Sequence, residues 1–200
     1  KATPENIMKS PLYMPDPEAS EKAELFLERK MQEQDSAGGV IECIVKGMPA
    51  GIGEPVFDKL DANLAKAVMS IGAVKGVEIG DGFAVAGAFG SDNNDSFCKG
   101  QDGKIAKTTN HAGGILGGMS DGSDIILRAA IKPTPSIARQ QQTVNRDGED
   151  IEISIKGRHD PIIVPRAVVV VEAMTAICVL DMILLGMTSR LDRIQEFWKK

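Results

Sequence analysis

Residues 162–187 read IIVPRAVVVVEAMTAICVLDMILLGM, the most apolar stretch of the chain. A bilayer span is the first reading to weigh. Arg166, Glu172 and Asp181 interrupt the stretch, and Pro165 sits near its start. A charge at mid-bilayer costs on the order of 2.5–3.5 kcal/mol on insertion scales. The stretch is therefore expected to be a helix covered on most sides by sheet, with no membrane partner.

Short strand-like runs surround it. Ile151, Ile153 and Ile155 alternate with Glu152 and Ser154, the pattern of a half-buried strand. Ile125–Ile131 reads as a second strand and Val40–Val45 as a third, with Ile41, Cys43 and Val45 on one face. Asp16 before Pro17 opens a surface helix that ends before Gly38-Gly39. Glu54-Pro55 opens a second, with Val56, Phe57, Leu60, Leu64, Val68 and Ile71 at helical spacing and Gly72 as its stop. Strand signals at 74–79 and 83–89 flank Asp81-Gly82, which predicts a hairpin. Residues 90–109 are polar and predict a mobile loop. Leu191, Ile194 and Phe197 make the tail amphipathic, with Trp198 as an anchor. Strands joined by short turns, without a steady strand–helix alternation, predict an α+β fold with mainly antiparallel sheet in a single domain over 1–200.

The totals narrow the function. A net charge of −5 argues against a nucleic-acid binder, which usually carries a basic face. Cys43, Cys98 and Cys178 show no paired spacing, which predicts a reducing, cytoplasmic setting without disulfides. These cysteines with His111 and His159 also lack ligand spacing, so no metal is expected.

Three loop clusters carry the chemistry. NHAGGILGG at 110–118 has four glycines in nine residues, and bare N–H groups in such a turn form a concave anion site. KPTPS at 132–136 offers a cation and two hydroxyls between two prolines, which suits phosphate; the alternative is a stiff turn between strands. GRHDP at 157–161 sets Arg158 to hold a phosphate by paired hydrogen bonds and Asp160 to accept a proton. The alternative is a salt bridge plus a helix cap. His111 reads as a turn residue that orders the glycine loop. No GxSxG, Walker loop or dinucleotide GxGxxG after a strand occurs.

The order of these blocks resembles chorismate synthase. The resemblance runs through residues 47–83, SDNND at 91–95, TNHAGGILGGMSDG at 109–122, KPTPS at 132–136 and residues 145–174. The family's N-terminal motifs do not occur, so the chain is expected to be a C-terminal portion, inactive alone. The resemblance implies a β-α-β sandwich of antiparallel sheets around central helices, assembled as a homotetramer. It implies a carbon–oxygen lyase of aromatic amino-acid biosynthesis, carrying out the anti-1,4 elimination of phosphate from 5-enolpyruvylshikimate 3-phosphate with reduced FMN. Whether NADPH reduces the flavin on the same protein, as in bifunctional members, stays open. Carried over by motif, the flavin contacts are Gly72, Ala73, Gly117, Lys132, Pro133, Thr134, Pro135, Ser136 and Arg158, and the catalytic residue is Asp160. The Gly72 position often holds Asn in the family, so only main-chain contact is implied there. The alternative is a non-catalytic flavin-binding or oligomerisation module.

Overall fold

The computed structural model describes residues 3–100, 103, 105–157 and 160–199. Along the chain run α1 (Pro4–Lys9), α2 (Pro17–Gln32), β1 (Gly39–Val45), α3 (Leu60–Met69) and β2 (Val74–Ile79). A 3-10 turn follows at Gly82–Gly87, then α4 (Gly90–Asn93), β3 (Phe97–Lys99) and β4 (Ile105–Lys107). The two-residue strands β5 (Ile115–Leu116) and β6 (Met119–Ser120) precede β7 (Ile125–Ile131). The chain continues through β8 (Gln141–Val144), β9 (Asp150–Ile153), α5 (Val164–Gly186) and α6 (Leu191–Trp198). A three-stranded sheet has the order β1-β7-β2, and β3–β4, β5–β6 and β8–β9 are antiparallel pairs.

The chain groups into two compact units. The first comprises Lys1–Ile41 and Ala130–Val169, the second Glu42–Ala129 and Val170–Lys200. In the first unit, Asp16 caps α2 by accepting from the N–H groups of Glu18 and Ala19, with Pro17 at the first helical position. The β8–β9 hairpin pairs Val144 with Asp150 and Gln141 with Ile153. In the second unit, Leu60, Leu64 and Val68 are fully buried at i, i+4, i+8 on α3. Alternate residues of β7, Ile125, Leu127 and Ala129, are also fully buried. Each buried leucine or isoleucine contributes about 1.5–3 kcal/mol.

Several expectations are corrected. The second predicted helix starts at Leu60 rather than at Pro55. Val56 takes a left-handed φ of 77°, and the Leu60 N–H is given to the Gly118 carbonyl, which ties the preceding residues to the β5–β6 turn. Val56 and Phe57 accordingly stay exposed. Residues 83–87 belong to the 3-10 turn Gly82–Gly87, and 83–89 form no returning strand. The Asp81 N–H is engaged by the His111 carbonyl and the Phe83 N–H by the Glu78 carboxylate, so the chain turns away from hairpin pairing. The polar stretch 90–109 carries α4 and the β3–β4 hairpin. Strand β9 is exposed on both faces, since it pairs only with β8. Leu191, Phe197 and Trp198 of the tail are exposed, with the two rings packed edge to face.

The apolar stretch does form one helix, α5, but it is not covered on most sides. Only Val171, Thr175, Val179 and Met182 are buried, at the spacing of a single narrow face. By length and composition alone, α5 could cross a membrane. Ile177, Leu180, Leu184 and Leu185 remain open to solvent. Apolar patches of this kind draw a partner surface. The 200-residue chain is expected to self-associate at micromolar concentration in light scattering, and a clean monomer would contradict this.

Candidate functional site

In the second unit the glycine-rich segment is held by a buried ionic network. The Asp95 carboxylate accepts from the His111 N–H at 2.8 Å, the Ala112 N–H at 3.0 Å and the Thr109 hydroxyl at 2.7 Å. Lys107 Nζ donates to Asp121 Oδ2 at 2.5 Å and lies 3.8 Å from Asp95 Oδ2. The three side chains are nearly sealed, at 4% exposure for Lys107, 3% for Asp95 and 8% for Asp121. Burial alone would raise both carboxyl pKa values. At Asp95, the Ala112, Thr109 and His111 donors and then the Lys107 charge outweigh burial, and the pKa lies below the ordinary value. At Asp121, the Lys107 hydrogen bond and the Ser123 N–H do the same. Asn110 adds a further brace by accepting from the Gly114 N–H at 2.7 Å and donating to the Asp124 carbonyl at 2.8 Å.

A second clasp joins this loop to the end of β2. Asp81 donates its N–H to the His111 carbonyl at 2.8 Å, and its Oδ2 lies 2.6 Å from His111 Nδ1. His111 is thus the turn-ordering residue read from the sequence. Gly80, with φ of 58°, sits so close that a Cβ would meet the backbone of His111, Ala112 and Gly113. Gly117 and Gly118, both at positive φ, make the two-residue turn between β5 and β6. A Cβ on Gly118 would strike Lys59, whereas one on Gly117 would point into open space. Gly117 is therefore open to close approach from outside. Gly72 lies exposed in the turn between α3 and β2 with nothing near a Cβ, and Ala73 follows it at φ of 72°.

In the first unit, Lys132–Ser136 form the loop that leaves β7. Lys132, Pro133 and Pro135 are exposed, and Thr134 and Ser136 are half-buried. Ser36 Oγ donates to the Thr134 carbonyl at 2.7 Å, and the Ile137 N–H turns back to the Pro135 carbonyl at 3.1 Å. The Thr134 hydroxyl oxygen is buried with no hydrogen-bond partner among the described residues. Asp160 Oδ2 lies 2.8 Å from Arg166 Nη1, in a salt bridge whose arginine is largely exposed. Asp160 also lines a cleft of about 160 Å³ with Asp35, Ser36, Ile137, Gly157 and Pro161. Arg158 and His159 lie outside the described residues.

Asp81, Asp95, Lys107 and Asp121 were not singled out by sequence reasoning. Their roles depend on pairings 14 to 30 residues apart, and the polar run around Asp95 offers several carboxylates of equal standing. The segment's local chemistry is a stiff glycine turn with an open main chain in one unit, and a proline-stiffened cation–hydroxyl loop beside a carboxylate in the other.

Comparison with known proteins bears on this chemistry. Residues 2–184 match the family described as chorismate synthase. The chain is 64% identical to the chorismate synthase of Lachnoclostridium phytofermentans over 200 residues, which is 100% of this chain and 54% of that protein. It is 57% identical to the chorismate synthase of Methanosarcina mazei over 178 residues, 88% of this chain and 48% of that one. A crystal structure of chorismate synthase superposes with a TM-score of 0.76 at 30% identity, covering 96% of this chain and 51% of that chain. The chain spans about half the length of the curated relatives it matches.

Proposed function

The chain belongs to the chorismate synthase family, and from that premise we propose that it supplies the flavin-holding part of a lyase that removes phosphate from 5-enolpyruvylshikimate 3-phosphate to give chorismate. The observation that carries this reading is the Thr134 hydroxyl, which is buried with no hydrogen-bond partner among the described residues, in a loop that also carries Lys132 and Ser136. A buried hydroxyl without a partner costs about 1–3 kcal/mol. A ligand that accepts or donates there repays that cost. FMN fits this donor set, because Lys132, Thr134 and Ser136 suit a phosphate tail or the polar edge of the ring. Gly72 and Gly117 have open space where a Cβ would stand, and with Ala73 they are the further flavin contacts that the family resemblance implies. Arg158 is the remaining proposed contact, as a bidentate partner of phosphate.

When bound, reduced FMN would supply electron density for the loss of phosphate without net redox change. The chain's own residues have simpler tasks. Pro133 and Pro135 limit the loop's freedom before binding, which lowers the entropy lost when a ligand arrives. Lys132 neutralises phosphate charge. Asp160 is the proposed proton-handling group, held in place by Arg166. The expected setting is a cytoplasmic homotetramer that contacts neither nucleic acid nor membrane.

The test is Thr134→Val, which keeps shape and deletes the hydroxyl. Stability of the free chain should change by less than about 1 kcal/mol or rise, because an orphaned group is removed. Affinity for FMN should fall about fivefold or more. Unchanged FMN affinity, by flavin fluorescence titration, would remove the proposed contact.

A further inference from the structure

Three successive residues after α2 reach both the 132–136 loop and the segment around Pro161 in the first unit. Ser36 Oγ donates to the Thr134 carbonyl, at the middle of the 132–136 loop, across 98 positions of chain. Ala37 donates its N–H to the Pro161 carbonyl at 2.8 Å and bridges to Ile162, just beyond Asp160. Gly38 packs on the root of the loop, where a Cβ would come within 2.5 Å of the Ile131 carbonyl and 3.1 Å of Pro133 Cδ. The run is delivered by Gln34, which takes φ of 58° and accepts the Arg139 N–H at 3.2 Å. A left-handed non-glycine residue costs roughly 1–2 kcal/mol, so neighbouring contacts must hold Gln34 there. Ser36 and Asp160 line the same cleft.

We propose that Ser36 is a positioning residue for the 132–136 loop, fixing the Thr134 backbone relative to the segment that carries Asp160. This rests on the reading of that loop as a flavin contact. Ser36 touches no ligand in this account. Its hydroxyl is the one side-chain donor in the run 36–38, and the neighbouring Ala37 and Gly38 act through backbone alone. With that hydrogen bond in place, the Thr134 hydroxyl stays buried and unspent. Without it, the middle of the loop is left with the prolines, the Ile137 turn and the Gln141 Nε2 donor to the Pro135 carbonyl at 3.3 Å.

The experiment compares Ser36→Ala and Ser36→Thr in the 200-residue chain by two readouts. Amide hydrogen exchange reports order over 134–138, and fluorescence titration with FMN and riboflavin reports binding. In Ser36→Ala, at unchanged helix content, exchange at Ile137 should quicken and the FMN dissociation constant should rise about fivefold to tenfold. Ser36→Thr, which keeps the hydroxyl, should restore both. Unchanged exchange and unchanged FMN affinity in Ser36→Ala would overturn the proposal, as would a loss that Ser36→Thr fails to restore. Should the unaltered chain bind no FMN, the flavin reading fails by itself. The exchange data then decide Ser36 alone: faster exchange in Ser36→Ala supports its hold on the loop, and equal exchange refutes it.

Discussion

Replacing Lys107 with methionine should destabilise the second unit by about 3–5 kcal/mol, the cost of stranding buried charge without its partner. Methionine keeps the length and apolar body of the side chain, so the loss isolates the ammonium. Asp121 would lose its 2.5 Å donor and Asp95 its only nearby cation among the described ion pairs, with both carboxylates under one tenth exposed. Asp95 would still have the His111, Ala112 and Thr109 donors. Asp121 would keep only Ser123, through its N–H at 2.9 Å and its hydroxyl. Asp121 should therefore suffer more, and Asp121→Asn combined with Lys107→Met should recover part of the loss. Urea unfolding followed by circular dichroism measures this, and a change below about 1 kcal/mol would show that the network is not holding the unit.

The same network sets a pH dependence. Both carboxyl groups titrate below the ordinary value of 3.8 in the folded chain. A depressed pKa adds stability that is fully present above the unfolded value and disappears as pH falls through the folded value. Unfolding should thus become easier below about pH 4, and less so in Asp95→Asn, whose starting stability is already lower.

The second large effect concerns turnover. The 200 residues, supplied with reduced FMN and 5-enolpyruvylshikimate 3-phosphate, should form no chorismate. Positioned charge around the departing phosphate is usually the largest part of such catalysis. The chain spans about half the length of its relatives, so half of the family polypeptide that could bring such charge is not among these residues. Lys132 and Asp160 are not sufficient on their own in this account. Chorismate appearing above the rate without protein, followed by absorbance or chromatography, would refute the prediction. A chain that binds flavin firmly yet never turns over in any assembly would favour a binding module instead.

Much of the architecture was legible because it rests on short-range patterns. Asp16-Pro17 announced α2, and the apolar run Ile125–Ile131 announced β7. Leu60, Leu64 and Val68 carried the buried stripe of α3. The failures share one cause. Val56 and Phe57 matched the same stripe, yet the Leu60–Gly118 hydrogen bond starts the helix later. Residues 83–89 have strand-like composition, yet the His111 loop engages Asp81. Helix α5 was recognised by its apolarity, but apolarity on all sides says only that cover is wanted, not that it is present. The candidate site divides in the same way. The loops 110–118 and 132–136 stand out by composition, whereas Ser36, Asp95 and Lys107 act through partners far along the chain.

Titration of the unaltered chain with FMN and, in parallel, with riboflavin reads the proposed flavin contacts without any substitution. Saturable binding of FMN, clearly tighter than that of riboflavin, is expected with Lys132, Thr134 and Ser136 as the proposed partners of the phosphate tail. Equal affinity for the two flavins, or no saturable binding of either, would contradict it.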